Sequence, residues 1–387
     1  MVRQGRDVLV DEQDPVVGEK GEVLHPYLGW VLNPNAHPGV TTSDGHFPVN
    51  RHGLLDTAEP TQRRSDDRVI VGIVGGSVAW FVSADAGREL IAELQQLPRF
   101  RGREIVLVRL ALSGYKQPQQ LLLVTYLLSL GAQFDIVVNI DGYNEVTLYP
   151  EENARFGMSP TFPRAWQARL EDRPDPRVAS ARDRFQAVKV RRRAWARWCN
   201  RLPAQGSYMV NLVWKSLDNR YAASMREDLK SVVQQPLRDP SYEVTGPPQS
   251  FASRNEMYAA LVDYWQRCSI QLDRLCRLHD IEYHHVLPPN QYLEGSKPIG
   301  AAEHEVAIWD GAYAEHAQKA YPLLVQRGSE LVRQHVRFHD LSMLFAARPE
   351  PIYVDNCCHY NHAGNVLVAR AIAAAVGRSA PDTSPPP

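Results

Sequence analysis

The feature that most constrains the fold is a short apolar run that ends in two glycines. Residues 69–74 read Val-Ile-Val-Gly-Ile-Val, and Gly75 and Gly76 follow. A run without apolar/polar alternation is typical of a strand in a parallel sheet that is covered on both faces. Parallel strands need long crossover connections, which are usually helices. The run therefore predicts a layered α/β domain.

The rest of the chain alternates as such a domain requires. Further strands are predicted at residues 105–110, 134–140, 282–287 and 336–341, and helices at residues 84–97, 117–130, 255–279, 303–335 and 361–376. Strands that alternate with helices are the signature of βαβ units. We therefore predict a three-layer α/β/α, flavodoxin-like domain with a mainly parallel sheet.

The same pattern divides the chain into five segments. Residues 68–146 and 249–378 are the two halves of the predicted core. Residues 1–67 are irregular and rich in Pro, Gly and His, which predicts a segment that wraps around the core. Residues 147–248 contain no convincing buried strand, so we predict a helical insertion or cap there. Residues 379–387 are rich in Pro and Ser, which predicts a disordered tail.

Composition narrows the classes of protein that fit. The chain has 387 residues, 44% of them hydrophobic and 22% charged, which is ordinary for a globular protein. A formal net charge of -1 gives no overall attraction to nucleic acid or to an anionic membrane. Five cysteines, of which three are scattered and Cys357 and Cys358 are adjacent, show no CxxC or Cys/His metal spacing and predict mostly free thiols. We therefore expect neither a metal nor a cofactor.

Targeting signals are also missing from the sequence pattern. The first residues are polar and lack the apolar region of a signal peptide, and residues 121–130 are too short an apolar run to span a bilayer. These features predict a cytoplasmic protein without stable membrane insertion. A processed, exported form would show the same pattern.

Three polar clusters follow directly after predicted strands. They are Gly75-Gly76-Ser77, Asp141-Gly142-Tyr143-Asn144, and the segment from Asp355 to His359. Ligands bind at the carboxyl ends of the strands in open parallel sheets. We therefore expect the three clusters to converge on one crevice.

Each cluster has a catalytic and an ordinary structural interpretation. Ser77 is placed like a nucleophile in a strand-to-helix turn, but the same pattern fits a helix N-cap or a phosphate-binding turn. Asn144 can donate its amide to a developing oxyanion, or it can be a simple turn residue. His359 is the usual kind of general base, and Asp355 can orient it. The two cysteines before His359 also leave a metal site open.

Together the motifs resemble the four sequence blocks of SGNH (GDSL-like) hydrolases. Gly76-Ser77, Gly114, Gly142-x-Asn144 and Asp355…His359 occur in the order of those blocks, and the resemblance covers residues 68–376 apart from the insertion. An Ala-rich helix after Gly364-Asn365 resembles the end of the last block.

The resemblance implies hydrolysis of a carboxylic ester through an acyl-serine intermediate. Ser77 would be the nucleophile, His359 its base and Asp355 the carboxylate that orients the base. The oxyanion hole would consist of the backbone N–H groups of Ser77 and Gly114 and the side chain of Asn144. The substrate would be a small-molecule or glycan acyl ester.

The chain departs from the family pattern at three positions. Gly76 replaces the usual Asp before the nucleophile, and Glu145 replaces the usual Asp after the third block. The triad carboxylate normally lies three residues before the histidine, where this chain has Asn356, so Asp355 lies four residues before His359. The sequence leaves open whether Asp355 completes a triad or the site is a Ser-His dyad.

Other functions remain open at this stage. Water and a sugar hydroxyl compete for the same acyl-enzyme, so a glycan O-acyltransferase or deacetylase is the first alternative, and a thioesterase is another. A non-catalytic binding protein on the same scaffold is the alternative from a different class. The insertion also carries eight basic residues between positions 182 and 201, interleaved with Trp195 and Trp198. We interpret them as the solvated face of a helix and expect no nucleic-acid partner. We also expect His285 to be a packed strand histidine.

Overall fold

A computed structural model describes residues 21–170, 241–309 and 311–378, and between them only residues 184, 187–188, 191–192, 195, 213–221 and 223–224. The predicted tail, the first twenty residues and most of the basic stretch, including Trp198, lie outside the described residues. The chain divides into two compact units, of which the larger comprises residues 20–166 and 242–387. The smaller unit contains residues 167–241.

Within the smaller unit, the described residues are helical. Arg192 forms a two-pronged ion pair with Asp218, with nitrogen–oxygen distances of 2.7 and 3.0 Å. Trp214 is buried.

The described part of the N-terminal segment forms two short hairpins, which the irregular sequence did not predict. Strand β1 (Glu22–His25) pairs with β2 (Gly29–Leu32), and β3 (Val40–Thr42) pairs with β4 (Gly45–Phe47). Each strand has only three or four residues, which is too short for a clear alternating pattern. Trp30 packs edge-to-face on Tyr115, so this segment lies against the core.

The larger unit is built on a five-stranded parallel sheet. Its strands are β5 (Arg68–Gly75), β6 (Glu104–Ala111), β7 (Ile136–Ile140), β8 (Glu282–Leu287) and β9 (Phe338–Asp340), in the order β6-β5-β7-β8-β9. Numbered from β5, this is the 2-1-3-4-5 order of flavodoxin-like folds. The predicted α/β/α fold with a parallel sheet is confirmed.

Helices cover both faces of this sheet. One face carries α1 (Ser77–Asp85), α2 (Gly87–Gln96) and the C-terminal helix, and the other face carries α3 (Gln119–Ser129), α4 (Tyr143–Leu148) and two long helices. The remaining helices, in chain order, are α5 (Trp166–Leu170), α6 (Tyr242–Thr245), α7 (Arg254–Leu278), α8 (Ala301–Ala307), α9 (Ala312–Arg333) and α10 (His362–Arg378). The long helices are α7 and α9, and α10 is the C-terminal one. No helix within the described residues is long and apolar enough to cross a bilayer.

Two predicted helices are broken in the structure. The helix expected at residues 84–97 begins earlier, at Ser77, and is interrupted at Ala86, whose φ of -130° is not helical. The helix expected at residues 303–335 is interrupted after α8, where Ile308 is extended and Gly311 is the N-cap of α9. Both regions keep a helical apolar pattern because the broken pieces pack on the same core.

Burial explains why the first apolar run lacks alternation. Val69, Ile70, Val71, Ile73 and Val74 are all completely buried, although they point alternately to opposite faces of the sheet. Each such side chain contributes about 1.5–3 kcal/mol on leaving water. The run therefore fixes β5 at the centre of the sheet, and Ser77 follows directly at its carboxyl end.

Candidate active site

Three side chains from two distant parts of the chain meet at the carboxyl edge of the sheet. Ser77 opens α1 after β5, and His359 lies in the loop between β9 and α10. The Oγ atom of Ser77 lies 2.6 Å from Nε2 of His359, and Nδ1 of His359 lies 2.5 Å from Oδ2 of Asp355. The structure thus brings the three predicted catalytic residues into one hydrogen-bonded series.

The loop around Asp355 explains its unusual spacing. Oδ1 of Asp355 accepts the backbone N–H groups of Cys357, Cys358 and His359 at 3.0, 3.1 and 3.3 Å. The carboxylate therefore sits inside the turn, and its other oxygen is left for the ring of His359. The backbone carbonyl of Asn356 accepts the hydroxyl of Tyr292 at 2.6 Å.

The environment of Asp355 keeps the carboxyl group ionised. Burial would raise the pKa of Asp355, but the hydrogen bond and charge of His359 and the backbone N–H groups outweigh it. The pKa of Asp355 is consequently below its ordinary value. An ionised carboxylate is what a histidine base needs to stabilise its imidazolium form.

Ser77 and His359 are partly accessible to solvent. Ser77 is 8% exposed, and the side chain of His359 is 20% exposed. Phe81, which the sequence analysis did not single out, packs edge-to-face on the His359 ring with 5.2 Å between centroids. Ser77 also lies at the N-terminus of α1, where the helix dipole favours negative charge.

Gly76 is explained by its neighbour. A methyl group built on Gly76 would lie 2.3 Å from Nδ2 of Asn144 and 3.1 Å from the carbonyl oxygen of Tyr115. A side chain at this position would have to displace the Asn144 amide. Asn144 therefore lies directly against the turn that carries Ser77.

Possible oxyanion donors surround this turn. Nδ2 of Asn144 donates one hydrogen to the carbonyl of Tyr115 at 2.8 Å, and an amide nitrogen carries a second hydrogen. Gly114 has a φ of +82°, a conformation that favours glycine. Among the described residues, the Gly114 N–H has no hydrogen-bond acceptor. The predicted donors Ser77, Gly114 and Asn144 thus lie on three touching segments.

Glu145 ties two of these segments together. Its carboxyl group accepts the N–H groups of Gly142 at 2.8 Å and Gln117 at 2.9 Å, and the side-chain amide of Gln120 at 3.2 Å. Burial, helped by the charge of Asp141, raises the pKa of Glu145 to about 8. Glu145 lies inside the protein and holds the loop of Asn144 in place.

A second Ser-His-Asp series lies inside the protein. His285 is 2.7 Å from Oδ1 of Asp141 through Nε2 and 2.7 Å from Oγ of Ser269 through Nδ1. Ser269 and His285 are completely buried, and Asp141 is 6% exposed. Trp265 and Gln117 also donate to Asp141. This series anchors the start of the Asn144 loop, and His285 is packed as expected.

The two cysteines in the His359 loop also offer metal-ligand atoms. Ligand atoms of Cys357, Cys358 and His359 lie within 4.8 Å of one another, and the two Sγ atoms are 3.0 Å apart. Both ring nitrogens of His359 already contact Ser77 and Asp355. The arrangement thus fits a proton-transfer series better than a metal centre.

Sequence reasoning missed Arg164, which packs over Gly114. A methyl group built on Gly114 would lie 2.7 Å from Cδ of Arg164. Arg164 belongs to a stretch without regular secondary structure, in the segment predicted as an insertion. The two residues lie far apart in the sequence, so no local pattern predicts this contact.

No protein-family model matches the chain, and a search of curated proteins gives no match. The geometry of the site therefore carries the functional interpretation.

Proposed function

We propose that this chain is an SGNH-type serine hydrolase that cleaves a carboxylic ester through an acyl-serine intermediate. The observation that carries the proposal is the partly exposed series of Ser77, His359 and Asp355, with hydrogen-bond distances of 2.6 and 2.5 Å. Its position at the carboxyl edge of a parallel sheet is where such folds bind ligands. The arrangement supports nucleophilic catalysis, since the nucleophile contacts a base that a third group orients.

The residues divide the work as follows. Nε2 of His359 takes the proton of Ser77 Oγ while that oxygen attacks the carbonyl carbon of the ester. The carbonyl oxygen becomes negative and accepts hydrogen bonds from the N–H groups of Ser77 and Gly114 and from the Asn144 amide. His359 then returns the proton to the leaving alcohol, which leaves an acyl group on Ser77.

Hydrolysis of the acyl-serine repeats the same proton transfers. His359 removes a proton from water, the resulting hydroxide attacks the acyl carbon, and His359 protonates Ser77 as the carboxylic acid departs. Asp355 stays ionised throughout and stabilises the imidazolium. The substrate that fits this chemistry is a small-molecule or glycan acyl ester.

The decisive experiment uses a fluorophosphonate probe, which reacts with activated serines. We expect one adduct on Ser77, located by mass spectrometry, and none in the Ser77→Ala variant. Ser77→Ala should also abolish hydrolysis of short-chain aryl esters while leaving thermal unfolding nearly unchanged.

Ser269→Ala is the matched control because Ser269 also contacts a histidine that contacts an aspartate. Burial of Ser269 should prevent reaction at that serine, so the Ser269→Ala variant should still be labelled at Ser77. Absence of labelling in a folded wild-type protein would instead support a non-catalytic binding protein. Ester hydrolysis by Ser77→Ala at the wild-type rate would refute the role of Ser77.

A further inference from the structure

Arg164 places a guanidinium group beside the proposed oxyanion hole. A methyl group built on Gly114 would lie 3.2 Å from Nη1 of Arg164, so the cation lies directly over this backbone. The Arg164 side chain is 35% exposed, which leaves it accessible to a bound molecule. Arg164 thus lies against the Gly114 turn.

The position of Arg164 is fixed by an ion pair that is itself supported. Nε of Arg164 donates to Oε2 of Glu152 at 2.9 Å, and Oε1 of Glu152 accepts the Tyr313 hydroxyl at 2.8 Å. Glu152 lies in the π-helical turn Tyr149–Asn153, which directly follows α4. The helix that carries Asn144 therefore continues into the turn that orients Arg164.

The backbone on both sides of Arg164 is held by one buried side chain. Asn153 is completely buried, and its amide donates to the carbonyls of Phe162 and Pro163 at 3.3 and 3.1 Å. The side-chain oxygen Oδ1 of Asn153 accepts the N–H of Ala165 at 3.3 Å. Ala165 has a φ of +47°, an unfavourable conformation for a residue with a Cβ. Strain of this kind persists only where the surroundings impose it, and it is concentrated at functional sites.

The contacts around Arg164 fix the direction of its guanidinium group. A guanidinium group is a planar donor that matches the two oxygens of a carboxylate or phosphate. The same clamped geometry is what a binding site for such a group needs.

We infer that Arg164 forms an anion subsite, which binds a carboxylate or phosphate group of the substrate next to the scissile ester. The inference rests on the proposed function for the ester that is cleaved, whereas binding of the anion does not depend on that function. It narrows the substrate class to acyl esters that carry a negative charge near the reacting carbonyl.

Binding measurements in the Ser77→Ala background test the subsite without catalysis. Monomethyl succinate carries a carboxylate on the acyl side, 4-acetoxybenzoate carries one on the alcohol side, and 4-acetoxyphenyl phosphate carries a phosphate there. Methyl 4-oxopentanoate is the neutral counterpart of the first probe, and methyl 4-acetoxybenzoate is the neutral counterpart of the other two. We expect at least one anionic probe to bind about 10–100-fold more tightly than its neutral counterpart, as a charged hydrogen-bonded pair allows.

Three further substitutions complete the test. Arg164→Met should abolish the preference for the anion, and Arg164→Lys should retain part of it, because lysine keeps the charge but not the planar donor. Arg155→Met is the matched control, because Arg155 is exposed in the same segment. If Arg164→Met does not fold, a Lys variant with the full preference refutes the need for a planar donor. Equal binding of every anionic probe and its neutral counterpart to the Ser77→Ala protein overturns the subsite.

The subsite and the hydrolase can fail separately. A protein that prefers the anion but does not react with the fluorophosphonate has the subsite without the proposed chemistry. A protein that reacts at Ser77 but shows no preference has the chemistry without the subsite.

Discussion

At the residue scale, this chain contains two Ser-His-Asp series that differ in their access to a substrate. Ser77 lies at the carboxyl end of the central strand β5, where it is partly exposed, whereas Ser269 is completely buried between helix and strand. The hydrogen-bond distances are similar, at 2.6 and 2.7 Å between serine and histidine. The hydrogen-bond distances therefore do not distinguish the two serines, and the proposal for Ser77 rests on its exposure and its position at the carboxyl end of β5.

The spacing of Asp355 leads to the first prediction. Asp355→Asn should lower kcat by at least about 10², because a neutral amide cannot stabilise the imidazolium of His359 and the aspartate-to-asparagine change costs about 10⁴ in the serine-protease template. Asn356→Ala should have little effect, because Asn356 is fixed through its backbone carbonyl. Steady-state hydrolysis of an aryl acetate measures both. A kcat for Asp355→Asn within a few-fold of the wild type would reduce the site to a Ser77-His359 dyad.

Asn144 gives the second prediction. Removing an oxyanion donor typically lowers kcat by about 10²–10³, so Asn144→Ala should do so with a modest change in KM. The Tyr115 carbonyl also loses its donor, so thermal unfolding of the variant must be measured beside its kinetics. An effect on KM alone would make Asn144 a substrate-binding residue instead.

At the element scale, the sequence predicted the strands whose burial is visible in a short run of residues. The central strand β5 is apolar on both faces because both faces are covered, and this pattern is visible in six residues. The break at Ala86 and the two N-terminal hairpins were missed, because a turn of backbone leaves almost no periodic signal. Arg164 was missed for another reason, since Asn153 and Glu152 position it through contacts that no local pattern encodes.

The boundary of the insertion gives a prediction at this scale. Trp166 donates through its indole nitrogen to the carbonyl of Glu243 at 2.8 Å, and the Ser159 N–H donates to the carbonyl of Thr245 at 2.6 Å. The chain segments on either side of residues 167–241 are therefore hydrogen-bonded to each other within the larger unit. Replacing residues 167–241 by a short Gly/Ser linker should leave the remaining chain folded.

Circular dichroism and hydrolysis of a small acetyl ester check this replacement. We expect a cooperative unfolding transition within about 5 °C of the full chain and a similar rate on the small ester. A matched variant that also removes residues 159–166 should unfold at a lower temperature, because it removes the hydrogen bonds that join the two ends. An unfolded linker variant would show that the larger unit depends on residues 167–241.

At the scale of the whole molecule, the edge of the sheet opposite the active site is tied by Arg99. The guanidinium group binds both carboxyl oxygens of Glu282, at 2.6 and 3.1 Å, and the carbonyl of Val376 at 2.8 Å. Glu282 begins β8, and Val376 lies near the end of α10. One side chain thus links the central sheet to the C-terminal helix, whose first turn follows the His359 loop.

The Glu282 carboxyl should make the stability of the fold depend on pH. Burial opposes ionisation, but hydrogen bonds and charges of His284 and Arg99 lower the pKa of Glu282 from 4.5 to about 2. Because the folded pKa is below the unfolded one, the stabilisation is complete above pH 4.5 and is lost as the pH falls through 2. Glu282→Gln should therefore cost about 2–3 kcal/mol of unfolding free energy at pH 7.

Urea unfolding of the wild type and Glu282→Gln at pH 7 and pH 3 measures this dependence. The difference between the two proteins should shrink by more than half at pH 3, where Glu282 of the unfolded chain is already protonated. Glu59→Gln is the matched control, because Glu59 pairs with Arg51 at a site where the two side chains are 49% and 70% exposed. Such an exposed pair should contribute less than about 1 kcal/mol at either pH. A Glu282→Gln difference that stays constant with pH would mean that the carboxyl group stabilises the fold by packing, without its charge.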